Sequence, residues 1–373
     1  MQNNPKILVV CDKDASTSFG RLSLDIYGTF KKMGMDASLL WLMTPDYFHG
    51  AEPTMGDVLK APSFLRGFFS FRQKVNAFLQ NAKPDLIFWV CPELGFLVPG
   101  IKKNFPQIKN VVMVHDAFPK ILYPNSLKYK LIYRLFLKPA AAADYFVYNS
   151  RYSKASIEAN YKVPNNEGPV IGCPVNFEVF RKPETSVTRE EKKSFWQGKG
   201  LQGYDSFCLN VSLDEPRKNI ETFLQMAEKR PNTAFVRVGV LTPRLEQLIA
   251  GMNLKNVFHF THLSAAEIRD FYWHVDLLVF PSFYEGFGLP PVEAIAAGTP
   301  AVCGGNTALK ENLEGICPLA EPADKLDVYL TALDDVLAGK EVVDSVKAEK
   351  LFEYCSNQAF SNRLQALLKQ LLF

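Results

Sequence analysis

At 373 residues, with 47% hydrophobic and 22% charged content, the chain is too long for one ordinary core, and two globular domains are expected. No apolar run nears the roughly 20 residues of a membrane span, and Met1-Gln-Asn-Asn-Pro-Lys-Ile runs into a strand without the pattern of a signal peptide. Seven cysteines without a Cys-x-x-Cys pair read as small buried residues of a reducing compartment, so a cytoplasmic protein is expected. The net charge of +3 hides a division, since residues 1–180 balance to +7 and residues 181–373 to −4. Between 60 and 138 there are 13 Lys/Arg against 3 Asp/Glu, with aromatics interleaved, which asks for an anionic partner or a solvated face.

Strand-like and helix-like segments alternate throughout, the signature of α/β layers on parallel sheets. In the first half the strands are Lys6–Cys11, Ala37–Leu42, Asp85–Val90, Asn110–His115 and Tyr145–Tyr148, with helices such as Arg21–Met33 and Phe71–Asn81 between them. Ser150 reads as a plain helix N-cap. The polar, proline-bearing stretch Arg181–Gly203 reads as a linker. The pattern restarts with Phe207–Val211, the loop Asp-Glu-Pro-Arg217-Lys218, and a helix from about Asn219, a candidate N-cap. Ala234–Val240 and Val257–Phe260 follow as strands, and Ser264-Ala-Ala-Glu267 is a capping box opening a helix that ends near Trp273. A last helical segment spans Gln358–Leu372. The expected domains are 1–183, 184–355 and a terminal segment 356–373 packing back on the first, each large domain a doubly wound sheet.

The most informative stretch is Pro281-Ser-Phe-Tyr-Glu285-Gly-Phe-Gly-Leu-Pro-Pro-Val-Glu293-Ala-Ile-Ala-Ala-Gly-Thr-Pro300. It follows the buried-strand run Asp276–Phe280 and places Glu285 in a glycine-rich turn, with Pro290 and Pro291 marking the first turn of a helix. Two acids and a set of free backbone N–H groups at a helix start suit a ligand that carries both hydroxyls and phosphate. Arg217 and Lys218, between a strand end and a helix, point toward the same edge, where cations neutralise phosphate. The alternatives are ordinary ones: a solvated loop acid, a first-turn acid favouring the helix dipole, and a solvated basic pair. His259-x-x-His262 lacks the remaining ligands of a metal site, and no P-loop or serine nucleophile elbow occurs.

Asp276–Pro300 resembles the donor-site signature of the GT-B-fold retaining glycosyltransferases of family 4, in which two glutamates are separated by seven residues, as Glu285 and Glu293 are. Val211-Ser-Leu-Asp-Glu-Pro-Arg-Lys-Asn219, Asn306-Thr-Ala-Leu-Lys-Glu311, Ser18-Phe-Gly-Arg21, Val114-His-Asp116 and Val147–Lys154 also look familial. The resemblance covers most of the chain and is strongest from 205 to 315. It implies two Rossmann-like domains facing across a cleft, the first binding acceptor and the second a nucleotide sugar. Glu293 would grip the ribose and Glu285 the donor-sugar hydroxyls. Lys218 and Arg217 would neutralise the diphosphate, and the N–H groups of Gly286, Phe287, Gly288 and Leu289 would meet it or the sugar. Gly20 resembles the loop glycine that lets the backbone approach the diphosphate, with Arg21 beside it. His115-Asp116 matches the mannosyltransferase-like branch, where the histidine lies near the donor hexose. Ser212 departs from the glycine many relatives carry.

The implied activity is transfer of a hexose, GDP-mannose being the first donor guess and a UDP-hexose close behind, to a saccharide or lipid-linked acceptor in surface polysaccharide, lipopolysaccharide or glycoconjugate synthesis. No cofactor or metal is expected, since lysine and loop N–H groups supply the charge. The rivals are a GT-B phosphorylase or synthase and a sugar-nucleotide-binding scaffold without turnover. Phe64–Lys74 and Leu127–Lys138 mix cations with aromatics, and each reads equally as a helix lying on an anionic membrane or as one packing its aromatics inward. Nucleic acid is not expected, because no binding motif accompanies the charge.

Overall fold

A computed structural model describes residues 4–13, 17–44, 53, 55–62, 64–161 and 168–372, with backbone alone at 18 and 64–69. The aromatic and basic positions Phe64–Phe69 therefore have side chains outside the described residues. The chain forms two compact units, one of residues up to Pro174 together with those from Asn357 onward, the other Val175–Ser356.

Each unit is built on a six-stranded, all-parallel sheet. In the first unit β1 (Lys6–Cys11), β2 (Asp36–Met43), β3 (Asp57–Lys60), β4 (Leu86–Trp89), β5 (Lys109–Val114) and β6 (Tyr145–Tyr148) lie in the order β3-β2-β1-β4-β5-β6. In the second, β7 (Ser206–Val211), β8 (Thr233–Val238), β9 (Val257–Phe260), β10 (Leu277–Phe280), β11 (Ala301–Gly304) and β12 (Leu319–Ala320) lie in the order β12-β11-β10-β7-β8-β9. Counted from its own first strand, each sheet has the 3-2-1-4-5-6 order of a doubly wound nucleotide-binding fold. Central strands such as Ile7–Cys11 and Leu277–Phe280 are buried on both faces, which is why they read as unbroken apolar runs. The short strands β3, β11 and β12, of four, four and two residues, escape the sequence reading.

Two expectations are corrected. The stretch 181–203 is not a free linker. It contains a helix, Arg189–Gln197, opened by a Thr188/Glu191 capping box. Trp196 is fully buried and donates from Nε1 to the His274 carbonyl at 2.7 Å, and Lys192 pairs with Asp276 at 2.7 Å. A helix that fully buries one residue and leaves the others half-buried or exposed has linker-like composition. The changeover between units also falls at Pro174/Val175 rather than 183/184. Val175 donates to Cys355 O at 2.9 Å and Phe177 packs on Phe352, so residues just after 174 belong to the second core. The terminal helix Asn357–Leu372 belongs to the first unit, where Arg363 Nε donates to Ile171 O at 2.7 Å.

Candidate active site

In a doubly wound sheet, successive connections leave in opposite directions at the switch point, and a crevice opens there beyond the carboxyl ends of the strands. In the second unit that point lies between β7 and β10. The loop after β7 carries Arg217 and Lys218 in the single turn Pro216–Lys218. The loop after β10 carries Glu285. The two loops are stitched together: Phe283 N donates to Arg217 O at 2.7 Å, and Asn219 Nδ2 donates to Pro281 O at 3.0 Å and Ala323 O at 3.3 Å. Asn219 is the helix N-cap by position, as expected, but in a left-handed conformation (φ 50°) with no side-chain cap bond; its amide serves the loop junction instead. Arg237, fully buried in β8, donates to Ser212 O at 2.7 Å and Val240 O at 3.1 Å, fixing the base of the β7 loop. Sequence reasoning missed Arg237, although an arginine inside an apolar strand is itself a signal, because a fully buried charge needs specific partners.

The structure brings three of the expected residues into direct contact. Lys218 Nζ lies 2.7 Å from Glu285 Oε1, and Arg217 Nη1 lies 3.4 Å from Glu285 Oε2 and 3.2 Å from Tyr284 O. Arg217 Nε also pairs with Glu215 at 2.6 Å, and Lys218 sits over the Phe280 ring at 5.7 Å. Burial pushes the Glu285 carboxyl up, but the charges of Lys218 and Arg217, with the hydrogen bond from Lys218, outweigh it and hold it below its ordinary value. Lys218 is lowered as well, first by burial and then by Arg217, because one carboxylate shared by two cations does not fully offset the lost water. Neither the solvated loop acid nor the solvated basic pair describes these groups: Glu285 is 7% exposed.

Glu285 N donates to Thr307 Oγ1 at 3.1 Å, and Phe287 O accepts from Asn312 Nδ2 at 2.8 Å, so the glycine-rich turn is pinned from the helix Thr307–Leu313. Gly286, Phe287 and Gly288 are buried, and Leu289 opens the helix Leu289–Ala296 with prolines in its first turn. Glu293 lies beyond that first turn, so the dipole-favouring first-turn reading does not hold. It is buried and accepts from Tyr272 Oη at 3.1 Å, a partner the sequence reading did not name. Gly288 is the N-cap at φ +89°, and a Cβ there would meet Leu309 Cδ2 at 2.4 Å. Gly288→Ala is expected to cost about 1–3 kcal/mol in urea unfolding, through left-handed strain and displacement of Leu309.

Gly20, Arg21 and His115 lie in the first unit. Gly20 is not in a loop: it sits in the first turn of the helix Ser18–Lys32, and its N–H is taken by the Thr17 hydroxyl at 3.1 Å. Arg21 N donates to Thr17 O at 2.9 Å in the same turn. Thr17 caps the helix one turn earlier than the apolar pattern shows, which makes the Gly20-Arg21 pair helical. Phe19 packs edge-on against His115 with centroids 4.6 Å apart, so this helix start and the end of β5 meet. His115 is buried, and its Nε2 donates to Val90 O at 2.6 Å, which fixes the neutral tautomer with Nδ1 as acceptor. Burial holds the imidazole down, to about 4, although the Val90 contact works the other way. The ring is expected to stay neutral, its NMR signals not titrating between about pH 5 and 8. Because the folded value lies below that of the unfolded chain, His115 contributes a fall in stability as pH drops from about 6.5 toward 4, by up to about 3 kcal/mol; His115→Gln removes that share of the slope and leaves the share of His259, which burial also holds down to about 4. Ser150 caps its helix as expected, accepting from Ser153 N at 2.9 Å.

Comparison with known proteins settles the family. The family profile "Glycosyl transferases group 1" matches residues 192–314, and "Glycosyltransferase Family 4" matches residues 23–179. The chain belongs to glycosyltransferase family 4. This family 4 chain is 29% identical over 215 residues to the O-antigen chain mannosyltransferase RfbU of Salmonella typhimurium, a match covering 55% of each. It is 40% identical over 123 residues to an MMP alpha-(1->4)-mannosyltransferase of Mycolicibacterium hassiacum, covering 31% of this chain and 30% of that one. The matches thus span about half or less of those relatives. In fold it is similar to sucrose-phosphate synthase from Thermosynechococcus elongatus, with TM-score 0.78 and 16% identity over 98% of this chain and 99% of that one. HepE of Anabaena, solved with UDP and glucose, gives 0.76 and 17% over 98% and 100%. The architecture is GT-B, two Rossmann-like α/β domains.

Proposed function

We propose that the chain is a retaining hexosyltransferase that moves a hexose from a nucleoside-diphosphate sugar to a saccharide or lipid-linked saccharide, on the cytoplasmic side of surface polysaccharide synthesis. The observation that carries this reading is the placement of Lys218 and Arg217 on buried Glu285 at the switch point of the second sheet. Two cations beside a glycine turn that opens a helix form a receptor for a dianionic diphosphate. Buried Glu293, which accepts from Tyr272, is a carboxylate of the kind that holds a ribose diol, as Glu285 is for sugar hydroxyls.

In the proposed reaction the acceptor hydroxyl attacks the anomeric carbon from the face the nucleotide leaves. The bond from that carbon to the diphosphate oxygen breaks as the bond to the acceptor oxygen forms, and the acceptor's proton passes to the departing phosphate. Lys218 and Arg217 stabilise the charge gathering on the leaving group. Glu285 orients the sugar and does not become a nucleophile. His115, neutral and fixed through Nε2, keeps Nδ1 as an acceptor. No metal is required, since the cations and loop N–H groups act on the diphosphate.

Mannose is the proposed sugar, supported by His115-Asp116 and by the mannosyltransferase names of RfbU and the mycobacterial relative. A thermal-shift comparison of GDP-mannose, GDP, UDP-glucose and UDP tests the reading. A donor at 100 times its Kd adds about 2.7 kcal/mol of stability. GDP-mannose is expected to give the largest shift. A larger UDP-glucose shift would overturn the donor, and no shift with any of the four would overturn the site.

A further inference from the structure

Leu127–Ala140 runs helically without interruption through Leu127–Ile132, a π segment Tyr133–Leu137 and Lys138–Ala140. Its aromatics turn inward: Phe136 packs on Phe96 with centroids 5.6 Å apart, Tyr133 stacks on Tyr161 at 4.7 Å, and Tyr129 stacks on Tyr123 at 5.1 Å. That part of the packing-inward reading holds. The leucines, however, do not follow. Leu127, Leu131 and Leu135 are 80%, 56% and 37% exposed. They stand four residues apart, so they form one row along the helix. Four residues of α-helix advance such a row by about 40°, and the wider turn of the π segment, entered between Leu131 and Leu135, counters that drift.

Cations border the row on both sides. Lys130, Arg134 and Lys138 are exposed at the same four-residue spacing on one flank, and exposed Lys128 lies on the other. No Asp or Glu occurs between Asp116 and Asp144. A second copy of this chain is a poor occupant, because a two-fold contact through the leucines would set the two cation rows against each other. A bilayer with anionic headgroups meets both features at once, taking the leucines into its acyl boundary and the cations at its phosphates.

We infer that the Leu127–Leu131–Leu135 row with its flanking Lys128, Lys130, Arg134 and Lys138 docks the first unit onto an anionic lipid surface. The interface is peripheral, since among the described residues no helix is long and apolar enough to cross a membrane. It stands apart from the donor chemistry, because lipid partition reads no transfer reaction.

The test is sedimentation of the full chain with sucrose-loaded vesicles of phosphatidylcholine, with and without phosphatidylglycerol. The unaltered protein is expected to pellet with the anionic vesicles only, and less so as salt is raised. Each nearby cation contributes roughly fivefold, so the Lys130→Glu/Arg134→Glu/Lys138→Glu variant should partition at least about a hundredfold less. The Leu127→Ser/Leu131→Ser/Leu135→Ser variant should lose about tenfold or more, and what remains should vanish in high salt. Both sets change exposed positions, and an unchanged melting temperature confirms that each variant folds. The proposal is overturned if the unaltered protein stays in the supernatant with anionic vesicles, or if either variant pellets as it does. It is equally overturned if sedimentation velocity without lipid shows self-association that the leucine variant abolishes.

Discussion

Lys218→Ala is expected to lower kcat/KM for the nucleotide sugar by about 10²–10³-fold, the scale of removing one preorganised donor aimed at developing charge. Its ammonium is held in place before any ligand arrives. The Pro216–Lys218 turn is tied to the loop after β10 through Phe283 N and the Asn219 amide, and Nζ already has an anionic partner 2.7 Å away in Glu285. A cation so fixed spends little reorganisation when charge gathers on the departing diphosphate. The loss should therefore fall more on kcat than on KM, since in the proposed site ground-state diphosphate binding would retain Arg217 and the loop N–H groups. Lys218→Arg should recover part of the rate, its fork being charged but longer and planar. Steady-state kinetics with the preferred donor measure this, and a Lys218→Ala enzyme within about threefold of the parent would remove Lys218 from the leaving-group chemistry.

Much of this arrangement was legible in the sequence, for identifiable reasons. Parallel strands buried on both faces leave unbroken apolar runs, so β1, β7 and β10 announce themselves, and the residues just beyond them lie by topology at the carboxyl edge. Glu285, Arg217 and Lys218 are therefore placed near one another by the sequence pattern alone. Three things are not legible there. Gly20 resembles a loop glycine in sequence because the choice of N-cap is a local competition that periodicity does not resolve, and Thr17 wins it. The helix Arg189–Gln197 reads as linker because its large apolar side chains are the adjacent pair Phe195 and Trp196, which make no stripe. Tyr272, which holds Glu293, and Arg237, which holds the β7 loop, reach their partners across elements distant in sequence, and no spacing rule encodes such contacts.

Glu285→Gln should separate binding from turnover in a way that tests the whole site. In the free protein Glu285 is the resident anion for both Lys218 and Arg217, and its carboxylate is almost fully buried. Replacing it with a neutral amide leaves two cations without that counter-charge, so a loss of about 2–3 kcal/mol in stability is expected, toward the low end for breaking a buried pair because the amide oxygen still accepts a hydrogen bond. The same change raises the local positive charge by one, so nucleoside diphosphate is expected to bind about tenfold tighter, equivalent to about 1.4 kcal/mol. Turnover should nonetheless fall by at least about a hundredfold, because the carboxylate that would orient the sugar hydroxyls is gone. The pH dependence carries the same signature. Glu285 has a folded value below its unfolded one, so its contribution is present above the ordinary carboxylate range and is lost as pH falls through the folded value. The stability gap between the parent and Glu285→Gln should therefore close below about pH 4, and the His115 term, common to both proteins, cancels in the difference. Calorimetric titration with GDP and UDP and paired urea melts across pH measure these effects. Diphosphate affinity that weakens together with turnover would mean that Lys218 and Arg217 do not receive the diphosphate.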